Sequence, residues 1–346
     1  MTIQDASPID PAVADAPPPR LPVDQPLLQV SGLNVSFATP SGRVPVVEDV
    51  GFEIRPGEAL GLVGESGCGK SVTAMTLTRL LPSPPSFVDS GSVVFEGQDL
   101  LSLSDKRMRA LRGDRIGMIF QEPMTSLNPV YSVAFQIEES LRIHRGMRGQ
   151  AARSRAKELL ELVGIGAPER RLTQYPHELS GGLRQRVMIA IALACEPDLL
   201  IADEPTTALD VTIQAQIIKL LDRLRSELGM AVLMITHDLG VVAQTCDRVE
   251  VMYAGRIVER APSRTLFRNP RHPYTHGLLA SSPKLGKRQS KLPTIPGVVP
   301  QPGERGPGCY FADRCANAVD RCRREVPALA TVDDENHNAA CWNPVT

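Results

Sequence analysis

The chain has 346 residues, of which 42% are apolar and 4% aromatic, and 38 basic residues nearly balance 39 acidic ones to give a net charge of −1. Proteins that bind nucleic acids usually carry a basic excess or a basic stripe, so this composition argues against that class. The longest apolar run, Val187–Cys195, has nine residues, far fewer than the roughly 20 that a membrane-spanning helix needs, so we expect a soluble chain that reaches a membrane only through a partner.

The N-terminal residues, 1–26, are rich in Pro, Ala and Asp. Such a composition cannot build a core, and it predicts a disordered tail. The segment also lacks the basic start and apolar centre of a secretory signal peptide. We therefore expect a cytoplasmic protein, in which structural disulfides are rare.

The next part of the chain has the pattern of strands, with one helix among them. Strands are predicted for residues 27–37, 44–54, 58–63, 92–97 and 115–120. The third of these is short and apolar, and it leads into a Gly-rich loop and a helix from Lys70 to about Leu81.

Residues 132–195 lose the strand pattern and predict several helices. Strand patterns return at 198–204, 231–238 and 248–259, with a helix at 211–229. Strands that alternate with helices predict an α/β fold with a parallel sheet, into which the helical block, about 122–195, is inserted. After about Thr265 the chain becomes rich in Pro, Arg and Cys, which indicates a small C-terminal extension, 266–346.

The Gly-rich loop has the spacing of a phosphate-binding motif. It consists of Gly64, Glu65, Ser66, Gly67, Cys68, Gly69, Lys70 and Ser71, and Val72 follows it. Glycines at this spacing let backbone N–H groups surround phosphates at a helix N-terminus, where the helix dipole also favours anions. We predict that the loop and Val72 bind ATP, that Lys70 reaches the β- and γ-phosphates, and that Ser71 offers its hydroxyl to Mg²⁺.

The thiol of Cys68 lies within this loop. A helix N-terminus lowers the pKa of a nearby thiol, which predicts a reactive cysteine that bound nucleotide protects. The alternative is a small filler residue that is shielded from reagents.

Two acidic residues, Asp203 and Glu204, follow a second buried strand. The carboxyl ends of the strands are where α/β sheets bind ligands. Asp203 is placed to hold Mg²⁺, directly or through water, and Glu204 is placed to act as the general base that polarises the attacking water. A solvated acidic pair is the alternative, which the neighbouring phosphate motif disfavours.

A third motif, "LSGGLRQR", lies shortly before the second of these strands. Ser180, Gly181 and Gly182 open a helix, and their N–H groups and hydroxyl form a second anion cradle. One chain cannot easily bring two such cradles to one γ-phosphate, but two chains packed head to tail can. An ordinary helix N-cap is the alternative.

These motifs, in this order, resemble the ATPase subunits of ABC transporters over about residues 27–265. The resemblance implies an ABC-type fold with a RecA-like core, an antiparallel β subdomain and a helical insertion. It also implies roles for Gln121, which senses the γ-phosphate and Mg²⁺, for Asp210, which crosses the dimer interface, and for His237, which contacts the γ-phosphate. Phe37 lies where the family stacks an aromatic ring on adenine, and a core role explains it equally well.

The C-terminal extension resembles that of dipeptide and oligopeptide importer ATPases, on residues 269–285 and the sequence "PGCYFADRC". Close relatives in that group handle nickel, glutathione and other small solutes. The resemblance implies a second, related ATPase subunit, two membrane permease subunits and an extracytoplasmic solute-binding protein, with this chain at the cytoplasmic face of the inner membrane. A soluble ABC ATPase acting on DNA or ribosomes is the alternative, but those have long coiled coils between the motifs or two ATPase domains in one chain.

The helical block is entered through Gln121 and the loop that follows it, and the family docks its membrane subunits there. Met124 and Leu127 are apolar residues in this predicted loop. They indicate either a partner surface or a core role.

Four of the seven cysteines lie within the last 38 residues: Cys309, Cys315, Cys322 and Cys341. Four thiolates are the ligand set of a [4Fe–4S] cluster, and an extension with few apolar residues is stabilised by a metal. Structural zinc takes the same number of thiolates, although zinc sites usually contain close cysteine pairs. We therefore predict a [4Fe–4S] cluster, with zinc and a metal-free extension as the alternatives.

Overall fold

The computed structural model describes residues 25–40, 42–121, 126–207, 209–281, 293–333 and 336–346. Residues 1–24 of the predicted tail and Met124 lie outside the described residues. In the described part of the chain, no helix is long and apolar enough to cross a membrane.

The described strands form two sheets. In chain order they are β1 (Leu28–Thr39), β2 (Gly42–Ile54), β3 (Ala59–Val63), β4 (Ser86–Phe95), β5 (Gln98–Asp99), β6 (Ile116–Ile119), β7 (Leu199–Asp203), β8 (Ala231–Thr236), β9 (Arg248–Tyr253), β10 (Arg256–Pro262), β11 (Ala330–Thr331) and β12 (Asn338–Ala339). One sheet is antiparallel, in the order β2-β1-β4-β5, and the other has the order β11-β12-β10-β9-β3-β8-β7-β6. Strands β9, β3, β8, β7 and β6 run parallel, which confirms the predicted parallel sheet.

Burial follows from the sequence pattern of each sheet. In β1, Leu28 and Val30 are buried while Gln29 and Ser31 are exposed, so one face of the antiparallel sheet packs on the core. Every residue of β3, β7 and β8 is buried, as expected for a parallel sheet that is covered on both faces. Because these three strands are neighbours and run parallel, the loops that follow them emerge side by side.

Helices cover the parallel sheet and fill the segment between β6 and β7. They are α1 (Lys70–Leu77), α2 (Asp105–Leu111), α3 (Val133–Arg145), α4 (Gly149–Leu162), α5 (Pro168–Leu172), α6 (Gly181–Ala192), α7 (Val211–Leu228), α8 (Leu239–Thr245), α9 (Ser263–Arg268) and α10 (Pro273–Ala280). The described residues between β6 and β7 contain the helices α3–α6 and no strand, as the sequence predicts, and these four helices form the helical layer. The predicted end of α1, about Leu81, is wrong: Arg79 adopts a left-handed backbone with φ 50°, and Pro82 follows.

The end of the chain extends the eight-stranded sheet at its β10 edge, where the strands pair antiparallel. Strand β12 pairs with β10, and the buried carboxylate of Glu259 in β10 accepts a hydrogen bond from the backbone N–H of His272 at 2.9 Å. The ring of His337 lies 2.8 Å from the same carboxylate. Burial lowers the pKa of His272 to about 3, so this imidazole stays neutral within the packed interior.

Candidate active site

The Gly-rich loop, or phosphate loop (residues 64–71), forms a tight turn between β3 and α1. A Cβ on Gly64 would lie 2.2 Å from the carbonyl oxygen of Met252 in β9, so only glycine allows this close approach. Gly69, directly before α1, has φ 108°, a conformation that residues with side chains rarely adopt. The side chain of Lys70 folds back over the loop and donates to the carbonyls of Gly64 at 2.8 Å and Glu65 at 3.0 Å. The loop therefore has a fixed curvature around a buried ammonium group.

Beside the loop, a hydrogen bond between Ser71 and Asp203 joins α1 to the end of β7. The hydroxyl of Ser71 donates to Oδ1 of Asp203 at 3.1 Å. Burial raises the pKa of Asp203, and the hydrogen bond from Ser71 opposes that shift. A hydroxyl and a carboxylate are oxygen ligands of the kind that Mg²⁺ takes. These two residues therefore fit the predicted ion by the chemistry of their donor atoms.

The carboxylate of Glu204 is held by three side chains. Thr207 donates its hydroxyl to Oε2 at 2.8 Å, Gln121 donates its amide to the same oxygen at 3.1 Å, and Nδ1 of His237 lies 3.3 Å from Oε1. Burial raises the pKa of Glu204, but the hydrogen bonds of Thr207 and His237 outweigh burial and hold the pKa below its usual value. The result is an ionised carboxylate that can accept a proton from water.

The backbone at Glu204 is also unusual. It has φ 47°, a left-handed conformation that costs energy for a residue with a side chain and is typical of functional sites. Its backbone N–H donates to the carbonyl of Ile235 in β8 at 2.8 Å. This bond holds the Glu204 peptide group against the neighbouring strand, close to the start of the loop that carries His237.

The residues predicted to act across a dimer lie on the surface. Ser180 precedes α6 in an extended conformation, and its side chain makes no hydrogen bond to the helix N-terminus, unlike an ordinary N-cap serine. Gly182, in the first turn, is partly exposed, and Gly181 is exposed. Asp210 is exposed and accepts a hydrogen bond from the backbone N–H of Ile213 at 2.9 Å, which caps α7. Both helix starts are therefore accessible to a second molecule.

Phe37 and Val72 are half-buried and pack on one hydrophobic cluster with Cys68. Ser66 and Gly67, at the tip of the loop, are exposed. Phe37 therefore contributes to the core, and part of its side chain remains exposed.

The prediction of a reactive Cys68 is wrong. The residue is fully buried, and burial raises the pKa of its thiol above the ordinary value even though Lys70 opposes the shift. Burial outweighs the helix N-terminus because the thiol lies beneath the loop, where a thiolate would lose its hydration. Cys68 is therefore the filler residue of the alternative interpretation.

Leu127 is buried in the main core cluster, so its interpretation as a partner surface is wrong. Exposed apolar residues do follow it closely. Val130 is 69% exposed, and the rings of Tyr131 and Phe135 are stacked with centroids 4.3 Å apart at the surface.

The four C-terminal cysteines are free thiols, and the backbone N–H of Cys309 donates to the carbonyl of Cys322 at 2.7 Å. Burial raises the pKa of Cys341 to about 11, with a further contribution from the charges of Cys309, Cys315 and Cys322. Among the described residues, however, no group of three or more His, Cys, Asp or Glu side chains is arranged to hold a metal ion. This geometry does not support the predicted [4Fe–4S] cluster or its zinc alternative.

Three residues that contact the site were not identified from the sequence: Thr207, Tyr274 and Arg314. Thr207 lies three residues after Glu204, so its spacing on the same turn could have indicated the contact. Tyr274 and Arg314 both bind Glu65 of the phosphate loop. They are 209 and 249 positions away from it, and no local pattern indicates such contacts.

The two sheets, the helical layer and the phosphate loop define an ATP-binding cassette. The family model for ABC transporters matches residues 47–207, and the model for the C-terminal region of oligopeptide/dipeptide transporters matches residues 258–322. The chain belongs to the ATP-binding subunits of ABC transporters, in the dipeptide and oligopeptide importer family.

Several known proteins share most of the chain. A Brucella ovis protein named as a peptide import ATP-binding protein is 53% identical over 334 residues, which cover 93% of this chain and 98% of the relative. A Sinorhizobium fredii protein named as a peptide ABC transporter ATP-binding protein is 55% identical over 317 residues, which cover 91% of this chain and 94% of the relative. Among solved structures, the dimeric cassette MJ0796 bound to ADP and Pi matches with a TM-score of 0.62 and 30% identity, over 68% of this chain and 99% of that one. A cassette of the cbiONQ complex of Clostridium perfringens matches with a TM-score of 0.60 and 29% identity, over 71% of this chain and 92% of that one.

Proposed function

We propose that this chain binds Mg-ATP in a dimer of cassettes and hydrolyses it to drive the import of dipeptides or oligopeptides through a membrane permease. The observation that carries the proposal is the pairing of Ser71 with Asp203 beside the Glu204 carboxylate, at the edge of the sheet where the phosphate loop emerges. The names of the similar proteins supply the solute class.

Within this site, Lys70 binds the β- and γ-phosphates, and the backbone N–H groups of the loop surround them. Ser71 and Asp203 hold Mg²⁺, which when bound neutralises charge on the phosphates. Glu204 is the general base for the attacking water. Gln121 and His237 orient this carboxylate and contact the γ-phosphate.

The ATP site is completed by a second cassette, which is a related chain. Ser180, Gly181, Gly182 and Asp210 act across the interface on nucleotide bound to the partner. Their exposure supports this assignment, and so does the Ser180 hydroxyl, which makes no hydrogen bond to the start of α6. The similar cassette MJ0796 is also named as dimeric.

Two membrane permease subunits dock on the helical layer, and the exposed group Val130, Tyr131 and Phe135 is the contact on this chain. Aromatic residues are enriched at protein interfaces. An extracytoplasmic binding protein delivers the solute from the other side, so the chain lies at the cytoplasmic face of the membrane. The proposed boundaries are a tail at 1–26, the cassette at 27–265 and the C-terminal extension at 266–346.

Uptake by a strain that lacks this chain tests the solute class. Loss of dipeptide and oligopeptide uptake, with nickel and glutathione uptake retained, is the expected result. Loss of nickel or glutathione uptake alone would replace the peptide assignment. ATP hydrolysis without any link to uptake would favour a soluble ABC ATPase.

We also propose that the four C-terminal cysteines bind a [4Fe–4S] cluster when iron and sulfide are supplied. The support is the sequence alone, which has four cysteines within the last 38 residues, the number of thiols that such a cluster takes. Anaerobic purification followed by iron, sulfide and zinc analysis tests it. Four iron and four sulfide per chain is the expected result, whereas one zinc or four free thiols would reject the cluster.

A further inference from the structure

The C-terminal part of the chain, from residue 266 onward, forms hydrogen bonds with Glu65 of the phosphate loop. The hydroxyl oxygen of Tyr274, in α10, accepts a hydrogen bond from the backbone N–H of Glu65 at 2.9 Å. The guanidinium of Arg314 binds the Glu65 carboxylate with both terminal nitrogens, at 2.7 and 3.1 Å. Tyr274 is fully buried, and the Arg314 side chain is only 7% exposed, so water competes little with these contacts.

Both residues are themselves held in place. The ring of Tyr274 packs against Tyr253 and Phe311, with centroids 4.6 and 5.4 Å away. Arg314 also donates to the hydroxyl of Tyr253 at 3.3 Å and, through Nε, to the carbonyl of Pro296 at 2.9 Å. A bidentate arginine that is fixed in this way has a defined geometry.

The same C-terminal part is also connected to the loop through Glu48 and Gly255. Arg305 binds the carboxylate of Glu48 at 2.6 Å. The backbone N–H of Glu48 donates to the carbonyl of Gly255 at 2.9 Å, and the N–H of Gly255 donates to the carbonyl of Cys68 in the loop at 2.8 Å. The contact at Glu65 is therefore accompanied by a second, indirect connection between this part of the chain and the loop.

Glu65 links these contacts to the phosphate-binding lysine. Its carbonyl accepts a hydrogen bond from Nζ of Lys70 at 3.0 Å, its N–H is fixed by Tyr274, and its carboxylate is fixed by Arg314. A shift of the Glu65 peptide therefore changes the position of the Lys70 ammonium.

We propose that Tyr274 and Arg314 are positioning residues that hold the phosphate loop in its ATP-binding curvature, so that the C-terminal part of the chain sets the affinity for Mg-ATP. This rests on the proposed role of the loop. The C-terminal region typical of oligopeptide/dipeptide transporters, residues 258–322, would then act directly on the nucleotide site.

The test uses the complete transporter with Tyr274→Phe and Arg314→Lys in this chain. Tyr274→Phe keeps the ring packing and removes only the acceptor oxygen, while Arg314→Lys keeps the charge and loses the bidentate geometry. Arg323→Gln is the matched control, because Arg323 forms an exposed ion pair with Asp313 in the same segment. The measurements are KM for Mg-ATP, kcat and the melting temperature without nucleotide.

We expect KM to rise about 3- to 10-fold in Tyr274→Phe, as the loss of one hydrogen bond predicts, and at least as much in Arg314→Lys, with Arg323→Gln unchanged. A lower melting temperature with an unchanged KM would overturn the proposal, because the contacts would then be structural only. An unchanged KM and melting temperature would overturn it as well. If Arg314→Lys does not fold, Tyr274→Phe decides. Absence of ATP hydrolysis in the unmodified complex would instead refute the proposed function.

Discussion

The side-chain amide of Gln121 donates a hydrogen bond to the carboxylate of Glu204, with 3.1 Å between Nε2 and Oε2. Gln121 comes shortly after β6 and Glu204 directly after β7, and these strands are parallel neighbours. The entrance to the helical layer is thereby joined to the candidate base. A movement of that layer that displaces Gln121 changes the hydrogen bonding of Glu204. Under the proposed docking of the permease on this layer, such a movement would link the permease to the site.

Removing the charge of Glu204 should stop hydrolysis and spare binding. We expect Glu204→Gln to lower kcat by about 10²- to 10⁴-fold, the usual effect of losing a general base, while Mg-ATP still binds. Steady-state hydrolysis and equilibrium binding of Mg-ATP measure the two effects. Glu196→Gln is the control, because Glu196 also has a positive φ but forms an exposed ion pair with Arg155. Turnover near normal in Glu204→Gln, with the partner cassette disabled, would contradict the assignment.

Replacing Lys70 should abolish nucleotide binding. Lys70→Met removes the ammonium that bonds to the carbonyls of Gly64 and Glu65, so the loop loses both a phosphate ligand and the group it curves around. Isothermal titration with Mg-ATP should detect no binding. Lys157→Met, which alters an exposed lysine of the helical layer, should bind normally. Retained binding in Lys70→Met would place the phosphates elsewhere.

The buried carboxylate of Glu250 should make stability depend on pH. Burial raises its pKa from 4.5 to about 7, so between these values the folded state holds a proton that the unfolded state releases. Its contribution to stability is fully present below pH 4.5 and is lost as the pH rises through 7.

The comparison with Glu250→Gln isolates this effect. The melting temperature of the unmodified chain minus that of the variant should be higher at pH 5.5 than at pH 8. Glu227→Gln, at an exposed position, should show no such change. A difference that is independent of pH would contradict the raised pKa.

The Cys68 thiol should resist alkylation with and without nucleotide, because it is fully buried and its pKa is raised. Iodoacetamide labelling read by mass spectrometry should leave Cys68 unmodified in the native protein and label it fully after denaturation. Rapid labelling that Mg-ATP prevents would restore the interpretation as a reactive thiol.

A charge on the exposed aromatic pair should disrupt coupling to the permease. Phe135→Glu should prevent assembly of the complex or separate ATP hydrolysis from uptake, because it places an unpaired charge in an apolar contact. Val298→Glu alters another exposed apolar residue, outside the helical layer, and should assemble normally. Assembly and uptake at normal levels in Phe135→Glu would move the docking site away from this surface.

Local motifs predicted the loop, α1 and the strand that ends at Asp203, because each of them is marked by a pattern within a few neighbouring residues. Thr207 was within reach of the same reasoning. The roles of Tyr274 and Arg314 were not, since they depend on packing across more than 200 positions. Cys68 was misjudged for a related reason: its pKa is set by burial under the loop, which a short sequence window does not reveal.

The central claim is that ATP hydrolysis by this chain drives peptide import, and reconstitution tests it most directly. The measurement is uptake of a labelled oligopeptide by proteoliposomes that contain the permease, both cassettes and the binding protein, with Mg-ATP on the cassette side. The account predicts ATP-dependent uptake that is lost when Glu204→Gln is present and the partner cassette is disabled. ATP hydrolysis that proceeds without peptide uptake, or uptake that persists in that variant, would contradict it.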